Sequence, residues 1–319
     1  MEPFSDIVGQ ARPVKVLKTS IKNDIIIHAY LFLGPAGVGK MLSALAFART
    51  IILQEDSQAE LYFKEGIHPD LLIIEKADNR TLISKEQVSK EVEPWLTLKP
   101  YRARHRIVII RDAHLMSLEA ANALLKTLEE PPEYAVIILV SDESMLLETI
   151  ISRCQLIRFS FLADQDIEEY LLDRGYSGDE AAKAAKFGQG SISTALRYLE
   201  EEDFGAIWQT AVEIVRGLAG GDYLEIFESA RKMEREPVLL SNIIEIVLRD
   251  ICIYQETNRE ELLSIPDSIE LASTIKKVEP RRLMKALGKI SNISSYYRRN
   301  VNPLLINTGI AFEVWEALK

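Results

Sequence analysis

Cysteine is nearly missing from this chain of 319 residues: Cys154 and Cys252 are the only two, and no CxxC spacing occurs. That argues against a disulfide scaffold and a cysteine-based zinc site, and it fits a reducing compartment. Histidine is almost as sparse. His28, His68, His105 and His114 stand at spacings that suit no metal, so they read as satisfied polar groups. No apolar run approaches the roughly 18 residues of a membrane span. The start, Met-Glu-Pro-Phe-Ser-Asp, has neither the positive charge nor the apolar stretch of a signal peptide. A soluble, cytoplasmic protein with no membrane partner is therefore expected. Positive charge is not in surplus either. The formal net charge is −10, which speaks against an autonomous DNA binder but not against a place in an assembly that holds DNA elsewhere. Internal repeats and low-complexity segments are absent. At 47% hydrophobic and 27% charged, the composition is that of a globular protein, and the length suggests two domains, or three.

What is present is concentrated in Leu31-Phe-Leu-Gly-Pro-Ala-Gly-Val-Gly-Lys40, followed by Met41. It reads as a short buried strand, a glycine-rich turn and a helix, with the Gly34-x4-Gly39-Lys40 spacing of a phosphate-binding loop. The candidate nucleotide-binding residues are Gly34, Pro35, Ala36, Gly37, Val38, Gly39, Lys40 and Met41. The glycines let backbone N–H groups turn inward on an anion, and the helix that follows adds its positive end. One position departs from the pattern. The motif has Ser or Thr after the lysine to ligate Mg2+, whereas Met41 is a thioether that cannot hold a hard cation.

Around the loop, apolar runs alternate with helical periods. Arg12–Asn23 is a short helix with Val14, Leu17 and Ile21 on one face, and Lys40 to about Leu53 is another, with Leu42, Leu45, Ala46 and Ile52 inward. The polar segment 54–68 reads as loop or short helices. Strands are expected at 70–74, 106–110, 134–140 and 155–159. Ser84 and Gln87 form a capping box for a helix that Pro94 should kink or end. Ser117 caps the next helix, with Leu118, Ala121, Leu125 and Leu128 as its stripe, and Pro131-Pro132 stop it. A short helix is expected at 145–152. This alternation implies a parallel sheet. Past Phe161 strand signals stop. Three helices follow (164–174, 177–187, 191–200), then the acidic run Glu200–Asp203, read as a hinge or a solvated helix end. From Phe204 on everything is helical, with Leu240, Ile243, Ile244, Val247, Leu248 and Ile251 in one stripe. Asn302 and Pro303 open a last helix, with Leu304, Leu305, Phe312, Trp315 and Leu318 facing inward.

Several short segments together carry a resemblance: Val8-Gly9-Gln10, His28-Ala29-Tyr30, His68-Pro69-Asp70, Asn122-Ala-Leu-Leu-Lys-Thr-Leu-Glu-Glu-Pro-Pro132 and Ser152-Arg153-Cys154. They resemble the clamp-loader branch of the AAA+ family over about residues 4 to 200. The resemblance implies an α/β fold in three parts: an AAA+ P-loop parallel-sheet domain (1–161), a small helical lid domain (162–203) and an all-α C-terminal collar domain for oligomerisation (204–319). The cysteine module that many members carry after the P-loop is absent, so no zinc is expected.

Set against the family's motor subunits, the second acidic site falls on Arg111 and Asp112, in the stretch Arg111-Asp-Ala-His114. A metal-associated carboxylate becomes a cation and a longer acid a shorter one. In Gly190-Ser-Ile-Ser193, Ser193 replaces an arginine that motor subunits set against the nucleotide. The implied role is therefore a largely non-catalytic subunit, with no ATPase of its own and at most weak ATP or ADP binding through Gly37, Gly39 and Lys40. Arg153 alone reads as a surface arginine capping a helix end. In the family setting it reaches in trans into a neighbour's ATP site, as a catalytic arginine. The implied partners are the motor subunits (gamma or tau), the delta subunit, the sliding clamp and primer–template DNA reached through the assembly. Two alternatives stay open: an active ATP-hydrolysing motor, and an interaction scaffold whose loop is vestigial. The basic cluster Lys99, Arg102, Arg104, Arg106 and Arg111 reads as a solvated loop rather than a phosphate contact.

Overall fold

The structure, a computed structural model, describes residues 3–66, 68–77, 80–142, 146–200, 203–265, 268–298 and 301–319. Met1 and Glu2, Met145 of the expected short helix, and Glu201 and Glu202 of the acidic run lie outside them. By contacts the chain forms two units, Met1–Gly175 with Gln189–Thr194, and Tyr176–Gly188 with Ala195–Lys319.

In the first unit the order is α1 (Ala11–Lys22), β1 (Ala29–Leu33), α2 (Lys40–Glu55), α3 (Ala59–Lys64), β2 (Leu71–Ile74), α4 (Lys85–Gln87), α5 (Glu93–Thr97), β3 (Arg106–Ile110), α6 (Leu118–Glu129), β4 (Ala135–Ser141), α7 (Glu148–Ile151), β5 (Gln155–Arg158) and α8 (Asp164–Asp173). The five strands are parallel in the order β2-β3-β4-β1-β5. Strand side chains alternate between two cores. Tyr30, Phe32, Ile107, Ile109, Val136 and Ile138 meet Phe47 and Ile51 of α2 on one face. Leu31, Val108, Ile110, Ile137 and Leu139 meet Leu96, Leu124 and Leu128 on the other. Both faces are covered, which is why these strands read as unbroken apolar runs.

Three local expectations shift. Ser84 and Gln87 do form the capping box, but Pro94 does not end the helix. The turns widen into a π-helical segment, Val88–Val92, and the helix resumes as α5 with Pro94 near its start, the wider turns carrying the chain past the proline. Ser117 caps α6, yet the buried stripe is Ala120, Ala121, Leu124 and Leu128, while Leu118, in the first turn, is exposed. In α2, Leu42 is exposed as well.

The second unit is helical throughout: α9 (Gly178–Gly188), α10 (Ile192–Glu200, its first turn in the first unit), α11 (Phe204–Gly220), α12 (Tyr223–Lys232), α13 (Pro237–Thr257), α14 (Ser268–Thr274), α15 (Pro280–Ser294) and α16 (Pro303–Leu318). The expected stripe of α13 is buried. Asn302 caps α16, accepting from Leu304 N. Leu304 and Leu305 are nevertheless exposed, and Ile306, Ile310, Val314 and Leu318 make the contact. The inward face begins at Ile306, two residues later than the sequence pattern suggests. Among the described residues no helix is long and apolar enough to cross a membrane.

One acid in this unit is poised near neutrality. Glu245 on α13 is partly buried beside Ser294 of α15, and desolvation pushes its carboxyl up to about 7. Its ordinary value is lower, so folding stability falls as pH rises from the unfolded value through about 7. Glu245→Gln is expected to be more stable than the wild type by about 1–3 kcal/mol near pH 8, and equal to it near pH 4, in urea unfolding at the two pH values.

Candidate functional site

Leu33, the last residue of β1, pairs with Ser141 of β4 and Arg158 of β5, so the loop after it emerges between two strand ends. Gly37 and Gly39 take φ of +73° and +94°, the left-handed region that glycine enters without strain. At Gly37 a side chain would also collide with Ser191 Oγ and Ser193 Cβ. Gly39 precedes α2 and supplies no side-chain cap. The first N–H groups of α2 and the turned backbone of Gly37 and Gly39 thus form a cradle that fits a phosphate. The side chains do not fit Mg2+. Met41 is partly buried and packs against the core, and no other residue stands in its place in the motif.

Lys40 is 5% exposed. Its Nζ donates to Gly34 O at 2.7 Å, to Pro35 O and to Asp142 Oδ1 at 3.0 Å. Asp142 is the functional candidate that sequence reasoning missed. The sequence sets the second acidic site on Arg111 and Asp112, at the end of β3, but β4 stands between β1 and β3. The acid adjoining the loop therefore follows β4. The signal was available: Asp142 follows its apolar strand as Gly34 follows β1, and the register Leu33↔Ser141 sets the two strand ends together. His114 holds this acid in place, its Nδ1 accepting from Asp142 N at 3.3 Å.

Arg111 and Asp112 lie at the end of β3. Arg111 pairs with Glu75 at 3.0 Å and with Asp112 at 3.7 Å, and Asp112 has φ +50°. Neither has Lys40 as a partner in these contacts. Ser193, by contrast, is brought to the loop, its N–H donating to Gly37 O at 3.4 Å. Gln10 ties the loop to the strand beyond it: buried, it donates to Ser160 O at 2.7 Å and to Val38 O at 3.4 Å.

Arg153 stands apart from this cluster, at the end of α7. It donates to Thr149 O at 2.8 Å and to Glu129 of α6 at 2.6 Å, with 35% of its side chain exposed. The neighbouring Cys154 thiol is pushed up to about 12 by burial, so it stays protonated and unreactive. The basic cluster is a solvated loop only in part: Lys99, Arg104 and Arg111 are exposed. Arg106 is buried, stacks on Trp95 at 4.0 Å and donates to Lys99 O. Arg102 forks onto Asp56, whose carboxyl it holds down to about 2, helped by Gln58 N. Arg104 meets Glu55 and Asp24. Arg102 and Arg106 are thus used within the fold, whereas Arg104 pairs at the surface. The Asp56–His68–Arg102 network occupies the stretch between α2 and β2, and among the described residues no group of acids, cysteines and histidines is placed to hold a metal.

The family model described as DNA polymerase III, delta subunit, matches residues 9–163. The delta' subunit of Bacillus subtilis is 31% identical over 203 residues, 61% of this chain and 60% of that protein. The similarity places residues 9–163, just under half of this chain, in the AAA+ clamp-loader family. The tau subunit of Bacillus subtilis is 27% identical over 325 residues, 91% of this chain and 56% of its own length, and the tau/gamma subunit of Haemophilus influenzae 31% over 213, 62% and 30%. The chain thus spans between 30% and 60% of the length of these relatives. Among solved structures, a gamma subunit-related protein from Thermotoga maritima superposes with TM-score 0.42 and 21% identity, covering 96% of this chain and 100% of its own, too loosely to add weight. Identity to delta' and to tau and gamma is nearly level, so only the loop's own chemistry separates the two readings.

Proposed function

We propose that the chain is a delta'-like subunit of the DNA polymerase III clamp loader. It has no ATP hydrolysis of its own, braces the assembly, and offers Arg153 to the ATP site of an adjoining subunit while the sliding clamp is placed on primed DNA. Residues 1–161 serve as the P-loop domain, 162–203 as a lid and 204–319 as the part that joins gamma or tau and delta in a ring. The observation that supports this most is Lys40 held by Asp142 and two loop carbonyls, with Met41 and Arg111 where a motor would carry groups for Mg2+. Phosphoryl transfer depends on metal and positioned charge, with little covalent help from the protein. The residues at this site do not supply that charge.

The test uses the purified chain alone, incubated with ATP and DNA. No hydrolysis above background is expected, and Lys40→Ala is expected to change nothing. Steady hydrolysis that disappears in Lys40→Ala would instead establish the alternative, a motor subunit of the gamma and tau kind, which the level similarity to tau keeps in view.

A further inference from the structure

The sheet register that closes the core also places a carboxylate at the phosphate loop. β1 and β4 run in parallel with Leu33 opposite Ser141, so Gly34 and Asp142 leave the sheet side by side. An ammonium has three N–H donors. Among the described residues Lys40 donates to Gly34 O, Pro35 O and Asp142 Oδ1. The pair is shielded, with Lys40 5% and Asp142 15% exposed, so solvent and salt screen it little. A phosphate entering the loop must take Lys40 from this set, and it approaches a negative charge already in position. His114 fixes the backbone from which that charge projects.

We propose that Asp142 is the specificity-determining residue of this loop. It occupies the lysine that a nucleoside triphosphate or other polyphosphate needs, and so keeps such ligands out of a backbone cradle that is otherwise formed. The proposal rests on the reading above that the loop is not a working ATPase site, and it adds the residue responsible for low occupancy. Met41 and Arg111 bear on the metal and so on turnover, whereas Asp142 bears on the phosphate itself.

The experiment measures equilibrium binding of a fluorescent ATP analogue, and of tripolyphosphate in competition, with divalent metal chelated. The chains compared are the wild type, Asp142→Asn, Asp142→Ser, Lys40→Ala and the double change Asp142→Asn with Lys40→Ala, each checked for its thermal unfolding transition. Two replacements of different size are used so that a packing fault in one does not decide the outcome. Asp142→Asn and Asp142→Ser are expected to bind about tenfold more tightly than the wild type, the factor that one charge-assisted hydrogen bond is worth, with the gain lost in the double change. Equally weak binding by the wild type and both folded Asp142 variants overturns the proposal and leaves the reading of a non-hydrolysing subunit intact. Tight binding by the wild type that Lys40→Ala abolishes overturns the proposal and the low-occupancy reading together.

Discussion

Arg153→Ala is expected to slow hydrolysis at the adjoining ATP site of the reconstituted clamp loader by roughly 10³–10⁵-fold, the range of an arginine supplied in trans. In free energy that is about 4–7 kcal/mol of transition-state stabilisation, at ~1.36 kcal/mol per decade. In the isolated chain the guanidinium lies against Glu129 and the carbonyl of Thr149. It must leave Glu129 to reach a neighbour. Glu129 is half exposed and Arg153 about a third exposed, and surface pairs of this kind are worth about 0–1 kcal/mol. The cost of release is therefore small beside the expected gain. For the same reason the stability of the chain itself should move by less than about 1 kcal/mol. Arg153→Lys keeps the charge but loses the planar fork, and should recover little of the rate. The measurement is single-turnover, DNA-dependent ATP hydrolysis by the whole assembly, since other sites dilute the effect in steady state. An unchanged rate would remove the trans role and leave Arg153 as the helix-capping surface residue its contacts also describe.

The largest stability effect is expected at Asp70. Its side chain is fully buried and accepts from the N–H groups of Tyr101, Arg102 and Ala103 at 2.6, 2.7 and 2.9 Å. Asp70 stands just before β2, and its own carbonyl accepts from Ile107 of β3. One residue thus fixes both the start of the β2–β3 pairing and the turn that delivers the chain into β3. Asp70→Ala would strand three backbone donors. Tyr101 is largely exposed, so water can serve part of that turn, and a destabilisation of about 3–5 kcal/mol is expected rather than the full sum of three lost bonds. Asp70→Asn keeps one good acceptor and should fall between. Urea unfolding followed by hydrogen exchange on β2 and β3 would separate this from the helical second unit, which should unfold unchanged. A loss under about 1 kcal/mol would mean that the turn finds its bonds elsewhere.

Much of this molecule is written in local sequence, because its local forces are short-ranged. Apolar runs mark the strands of a sheet covered on both faces, and Ser84, Ser117 and Asn302 mark helix starts through hydrogen bonds that span two or three residues. The loop Gly34–Lys40 is legible for the same reason, since its turn is set by its own glycines. Where a first turn lacks a packing partner, the same reasoning misplaces the inward face, as at Leu118 and Leu305. Arg106 was misread because nothing in its neighbours announces that Trp95 lies beneath it. The strand order and the site's central pair were decided only by the tertiary structure. Lys40 and Asp142 are 102 positions apart and meet because β4, not β3, packs beside β1. No local period encodes that neighbour; it follows from how the covering helices bury both faces of the sheet. The sequence by itself determined that a phosphate cradle is built here, and the tertiary structure decided that its lysine is already engaged.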